Sequence, residues 1–239
     1  MQEMIRALCK QLRLGSHIAE SYRQIQAATQ EEFLVKVLTE AVAAREVERK
    51  NRNTQQAGFD LIKSFDSFDF SGMTLPGGVS PQSLKTCDFV RDKQNLIHYG
   101  RPGTGKTHLA TALGVEACRA GYKVLYYKTS RLVNLLIDAR KNNEEVKFWK
   151  KLSQADVLIL DEWGYIPFER TGTQLLFEAI SECYEKRSVI ITTNLPFDEW
   201  NTIFYDQKLT TAILDRLVHH GVLLMHDGPS YRVQHSQMN

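Results

Sequence analysis

Six residues in this 239-residue chain carry side chains that could act together on a phosphoric anhydride: Lys106, Thr107, Asp161, Glu162, Asn194 and Arg216. Lys106 and Thr107 close the stretch Gly100-Arg101-Pro102-Gly103-Thr104-Gly105-Lys106-Thr107, which fits G-x-x-x-x-G-K-[ST]. In that pattern a glycine-rich turn brings backbone N–H groups to the phosphates. The lysine reaches the β- and γ-phosphates, and the hydroxyl ligates Mg²⁺. His108 opens the helix whose positive end faces the same anion, so phosphate contacts are expected from Gly100 through His108.

Asp161 and Glu162 end the run Val157-Leu158-Ile159-Leu160, which reads as a buried parallel strand delivering two acids at its C-terminal edge. There Asp161 is expected to hold Mg²⁺ through water, and Glu162 to take a proton from the attacking water. Many strands end in an acid. Beside a phosphate loop, the pair points to hydrolysis rather than passive nucleotide binding. Asn194 follows Ser188-Val189-Ile190-Ile191-Thr192-Thr193 and can orient the water, the plainer alternative being a turn residue before Pro196. Arg216 lies in an amphipathic helix over Leu209–Leu217. It is either a surface arginine paired to an acid or an arginine finger that stabilises transition-state charge. His219 and His220 are adjacent, so on a helix they point apart and make poor joint metal ligands.

The elements that must position these groups alternate strand and helix. Asn95–Tyr99 reads as a strand entering the phosphate loop, and His108–Cys118 as the helix leaving it. Lys123–Tyr127 is a second strand, and residues 131–151 are a crossover of two helices. The chain closes with a strand over Val222–Met225 and a hairpin-like Asp227-Gly228-Pro229-Ser230-Tyr231-Arg232. The fold class is α/β, a P-loop three-layer α/β/α domain with a parallel sheet, preceded by a small all-helical domain. The expected division is 1–57 for the helical part and 58–239 for the nucleotide domain, with 58–94 as its linker. Phe59, Phe65, Phe68 and Phe70 in that linker either pack in the core or meet a base.

Two basic stretches are candidates for phosphate contact with DNA: Arg45, Arg49 and Arg52 in the first domain, and Arg140, Lys141, Lys147, Lys150 and Lys151 in the crossover. Cations that neutralise phosphates release counterions, although such residues also occur on plainly solvated helices. The formal net charge of +2 argues neither for nor against nucleic acid. Four scattered cysteines without a C-x-x-C pair suggest reduced thiols. With no signal-peptide core and no long apolar run, the expected location is cytoplasmic, with no membrane contact.

The order phosphate loop, basic crossover, L-I-L-D-E, I-T-T-N and L-D-R-L resembles that of AAA+ ATPases. The segments G-T-G-K-T-H-L-A-T-A-L, D-V-L-I-L-D-E-W-G-Y-I-P-F, N-L-P-F-D-E-W, L-D-R-L-V-H-H and G-P-S-Y-R most resemble the IstB family of insertion-sequence transposition helpers. DnaC helicase loaders and DnaA initiators are relatives of that family. The resemblance implies an ATP- and Mg²⁺-dependent homo-oligomer on duplex DNA that remodels target DNA and activates the transposase of the same element. It also assigns Arg216 to a neighbouring subunit's ATP. A DnaC-like helicase loader is the alternative. A monomeric P-loop kinase is disfavoured, because Glu162 beside Asp161 would activate water that a kinase must exclude. Arg101, Asn201 and Pro229 depart from the family's usual residues, and Arg232 matches a family arginine whose role is open between nucleotide contact and strand packing.

Overall fold

The computed structural model describes residues 1–15, 17–165, 168–204 and 206–236. Ile166 and Pro167 of the D-V-L-I-L-D-E-W-G-Y-I-P-F stretch lie outside the described residues. The chain divides into two compact units, Met1–Arg52 and Asn53–Asn239.

The first unit contains α1 (Gln2–Gln11), α2 (Ile18–Ser21) and most of α3 (Gln30–Gln56). Thr29 caps α3 by accepting from the Glu32 N–H at 3.2 Å, and the Glu32 carboxylate accepts from Ala28 N–H at 2.7 Å, so two donors at the helix start are satisfied. The core of this unit is small: Cys9, Ile18, Ala19 and Ala41 are buried, with Ile5, Leu14 and Val37 packed on them.

In the second unit the order is β1 (Met73–Thr74), α4 (Pro81–Lys85), α5 (Asp88–Arg91), β2 (Asn95–Gly100), α6 (Lys106–Arg119) and β3 (Val124–Lys128). Then come α7 (Thr129–Lys141), α8 (Glu145–Ser153), β4 (Val157–Trp163), α9 (Arg170–Cys183) and β5 (Ser188–Thr193). The chain finishes with α10 (Asn201–Phe204), α11 (Gln207–His219), β6 (Gly221–His226) and α12 (Tyr231–Gln234). The sheet runs β1-β6-β2-β5-β4-β3, parallel throughout except for β1, which pairs antiparallel with β6. Its strands are Val-, Ile- and Leu-rich because both faces are covered.

Alternate side chains feed two cores. Leu125, Tyr127, Leu158, Leu160, Val189 and Ile191 pack under α7, α8, α9 and α11. Val124, Tyr126, Val157, Ile159 and Ile190 pack under α6, together with Phe65 and, less deeply, Phe59, Phe68 and Phe70. The linker phenylalanines are core residues. The expected terminal hairpin is instead a capped helical turn: the Ser230 hydroxyl accepts from the Val233 N–H, which ends the strand and starts α12. Arg232 therefore sits on a helix rather than on a strand.

Candidate active site

The phosphate loop joins β2 to α6, and β5 lies between β2 and β4. The acids of β4 therefore arrive one strand away from the loop, all at the C-terminal edge of the sheet. Two loop glycines are sterically required. Gly103 has φ +85°, and a Cβ there would collide with the Ser230 hydroxyl; Gly105 has φ +89°, and a Cβ would meet the Phe68 ring at 2.8 Å. The C-terminal turn closes on the loop directly, with Tyr231 N–H donating to Gly103 O at 3.0 Å. The Arg232 charge is felt at Lys106.

Lys106 is buried at 6% exposure and donates to Gly100 O at 2.7 Å and Arg101 O at 2.8 Å. Burial lowers its pKa to about 8, against the opposing pull of Asp161, so the ammonium is poised to gain most from an incoming anion. Thr107 Oγ1 donates to Asp161 Oδ1 at 2.9 Å. These two oxygens are the hard donors a small divalent cation takes from a protein when phosphates and water complete its shell.

A β-bulge shapes the acidic end of β4. Leu160 pairs with Ile191 and Trp163 with Thr193, so Asp161 and Glu162 together oppose the single residue Thr192. Thr192 serves both: its hydroxyl donates to Asp161 Oδ1 and accepts from the Glu162 N–H at 3.1 Å. The extra residue puts Glu162 at φ +58°, an uncommon conformation for a non-glycine and one typical of functional sites. Tyr126 donates to Asp161 Oδ2 at 2.7 Å from β3, and Thr129 Oγ1 donates to Asp161 O at 2.9 Å. Lys128 Nζ donates to Glu162 Oε1 at 3.0 Å. Asp161 is 1% exposed and fixed from four elements, α6, β3, α7 and β5, whereas Glu162 is half-buried with its carboxylate on Lys128.

Asn194 lines a cavity of about 350 Å³ with Tyr99, Gly100, Arg101, Pro102, His226 and Asp227. Among the described residues its buried Oδ1 has no hydrogen-bond partner, the state of an acceptor waiting for a donor such as water. Behind the loop, His226 Nδ1 lies 3.2 Å from Thr104 O, and His226 Nε2 lies 3.0 Å from His98 Nδ1. The carbonyl can only accept, so His226 carries its proton on Nδ1 and accepts from His98 at Nε2. Burial holds both imidazoles neutral, lowering His226 to about 4 and His98 well below its ordinary value.

The structure thus brings together Lys106, Thr107, Asp161, Glu162 and Asn194. It does not bring Arg216. The Arg216 carbonyl lies 3.4 Å from the side-chain amide of Asn95, at the start of β2, about 16 Å of strand from the phosphate loop at its end. Its guanidinium stacks 4.8 Å over Phe177 and donates to Ala212 O. Of the basic crossover residues, Arg140 pairs with Glu145 and Glu178, Lys147 pairs with Glu144, and Lys151 donates to the Tyr127 hydroxyl. Lys141 and Lys150 are exposed without an ion pair among the described residues. In the first unit Arg45 donates to Arg13 O, Arg49 pairs with Glu46, and Arg52 is exposed.

Tyr126, Lys128, Thr129, Thr192 and the His98–His226 pair escape sequence reasoning, since each meets the site through strand pairing or, for Thr129, from the helix that follows β3, rather than through a motif. The one hint in the sequence is a hydroxyl or charge on a strand flanking the acidic one, a weak signal by itself.

The parallel order, with one strand between the phosphate loop and the acids, is that of a P-loop α/β domain. The sequence model of the IstB-like ATP binding protein family matches residues 2–239, and the chain belongs to that family. A protein of Pseudomonas aeruginosa named as an ATP-binding protein of insertion sequence IS21 is 38% identical, with 97% of this chain and 88% of that one covered. One of insertion sequence IS5376 from Geobacillus stearothermophilus is 33% identical, over 100% and 97%. Among solved structures, the DnaC helicase loader superposes with TM-score 0.53 at 23% identity, covering 68% of this chain and 96% of that one. The replication initiator DnaA bound to AMPPCP and single-stranded DNA gives 0.56 at 19%, covering 70% and 50%. At such identities the likeness is one of fold. Among the described residues no helix is long and apolar enough to cross a membrane.

Proposed function

We propose that this chain is an ATPase that assembles with copies of itself on duplex DNA and serves the transposase of an insertion sequence. The observation that carries the reading is a split constellation. Lysine, metal-site hydroxyl, carboxylates and amide converge in one chain, while the arginine, on α11, stays beside the far end of β2. A neighbour's Arg216 would complete the site, so turnover would depend on assembly.

In that reading Lys106 and the loop N–H groups hold the triphosphate, and Arg232, the second residue of α12, adds a cation from the same chain. Mg²⁺ fits between Thr107 and Asp161, where it would neutralise charge on the β- and γ-phosphates. Glu162 accepts the proton of a water that Asn194 orients, and the neighbour's Arg216 stabilises charge on the transferring phosphoryl group. The salt bridge to Lys128 holds the Glu162 carboxylate in place before water arrives.

For DNA, Lys141 and Lys150 of the crossover are the stronger candidates. Arg140, Lys147 and Lys151 already have partners, and so do Arg45 and Arg49 in the first unit, where Arg52 stands exposed. The service to a transposase rests on the sequence relatives, which are named for insertion sequences; helicase loaders share the fold at lower identity. The test is sedimentation on duplex DNA with and without ATP over a series of salt concentrations. A large ATP-dependent complex that salt weakens is expected. A monomer indifferent to DNA in every nucleotide state rejects the reading.

A further inference from the structure

A second cluster of metal-type donors lies at the opposite end of the sheet from the phosphate loop. Glu185 stands in the turn after α9, and His219 and His220 close α11; one donor atom of each lies within 4.8 Å of the other two. Adjacent histidines inside a helix diverge, but His220 has already left the helix, at φ −115° and ψ 29°. Its ring turns back so that the two imidazole centroids are 4.2 Å apart. The divergence expected of adjacent histidines on a helix therefore does not hold at the helix end. From the other side Glu185 is carried in by a left-handed residue conformation, φ +58°, and its carboxylate lies 3.7 Å from His220 Nε2.

We propose that Glu185, His219 and His220 form a binding site for one divalent transition-metal ion of the zinc class, with water completing the shell. Two imidazoles and a carboxylate are a zinc-type donor set that leaves one position open. Bonds near 2.1 Å place tetrahedral donors about 3.4 Å apart, so the cluster must contract by only about 1.4 Å from its present spacing. All three side chains are at the surface and can rotate to do so. An outer partner is already built: the Tyr184 hydroxyl lies 2.8 Å from His219 Nδ1, the kind of contact that orients a ligating imidazole.

The ion would pin the end of α9 to the end of α11. Arg216 lies one turn earlier on α11, with its guanidinium 6.0 Å from the centroid of the same Tyr184 ring, so the pin would also restrain the arginine's surroundings.

The test is calorimetric titration of the full-length, tag-free, metal-stripped protein with Zn²⁺, beside Glu185→Gln and His220→Ala. One ion per chain is expected, with affinity at least about tenfold weaker in each variant, since losing even an outer partner costs that much. Co²⁺ should give the visible band of a low-coordinate site in the unaltered protein and lose it in His220→Ala. Should His220→Ala not fold, Glu185→Gln, a near-isosteric change at an exposed turn, carries the comparison alone. Zinc binding with unchanged stoichiometry and affinity in the folded variants overturns the proposal, as does no binding by the unaltered protein at submillimolar zinc.

Discussion

The two units of this chain solve different problems with the same amino-acid types. In Asn53–Asn239 both faces of the sheet are covered, and the candidate site residues stand on α6 and at the ends of β4 and β5, among neighbours that are almost wholly buried. In Met1–Arg52 only a handful of residues are buried, while Met4, Leu8, Leu12, Leu34, Val35, Leu38 and Val42 are exposed. Burying one such side chain is worth about 1.5–3 kcal/mol, so the first unit leaves much of its available stabilisation outside its own core. Chemistry needs groups fixed to a fraction of an ångström, and the second unit supplies that. The first unit instead leaves a row of apolar side chains exposed.

Glu162→Gln should lower ATP turnover by roughly 10²–10⁴-fold and leave nucleotide affinity within a fewfold of the original, read by single-turnover hydrolysis beside nucleotide titration. Turnover near normal would remove Glu162 from the proton-accepting role. Next is acid. His226 is held near 4 against an ordinary 6.5, and the unfolded chain binds its proton first as pH falls. Stability is therefore fully present above pH 6.5 and drains away towards pH 4, by roughly 3 kcal/mol for this one group. Denaturant unfolding across that window should show the slope, and His226→Gln should flatten it.

Tyr126→Phe comes third. It removes one hydrogen bond to a buried carboxylate, about 1.5–3 kcal/mol, so Mg²⁺-dependent turnover should fall by roughly 10- to 100-fold. Nucleotide binding without metal should stay as it was. Equal losses with and without metal would mean that the tyrosine supports the fold rather than Asp161. Smallest is the DNA interaction: Lys141→Gln with Lys150→Gln should reduce the salt slope of DNA binding by about 1 for each phosphate-neutralising cation removed. Arg140→Gln with Lys147→Gln, whose cations are already paired, should change it less. Hydrogen exchange on the full chain addresses the contrast itself: amides of α1 and α3 up to residue 52 should exchange well before those of β2, β4 and β5.

How much of this is legible depends on whether a group's neighbours in space are its neighbours in sequence. The phosphate loop is contiguous, and its strand and helix announce themselves on either side. The acids of β4 follow an apolar run that has few other readings. Strand order, and with it the closeness of residues 107 and 161, follows from the type of fold. Nothing local announces that Tyr126 reaches Asp161 across a strand pair, or that Thr192 alone faces two residues of a bulge, because both depend on register. The His98–His226 pair joins positions 128 residues apart. The hairpin expected after β6 fails for a local reason: Gly228-Pro229 suggests a turn between strands, while Ser230 is a helix cap.

The central claim is that one chain supplies the phosphate loop and acids while another supplies Arg216, and one mixing experiment addresses it most directly. Arg216→Ala alone should bind nucleotide and lose about 10³-fold or more in turnover, and Glu162→Gln alone should also be inactive. Mixed on DNA with ATP, the Glu162→Gln chains lend intact arginines to sites whose glutamate is intact, so hydrolysis should reappear in the mixture. A mixture as inactive as its two components, under conditions where both are shown to co-assemble, would contradict a shared site.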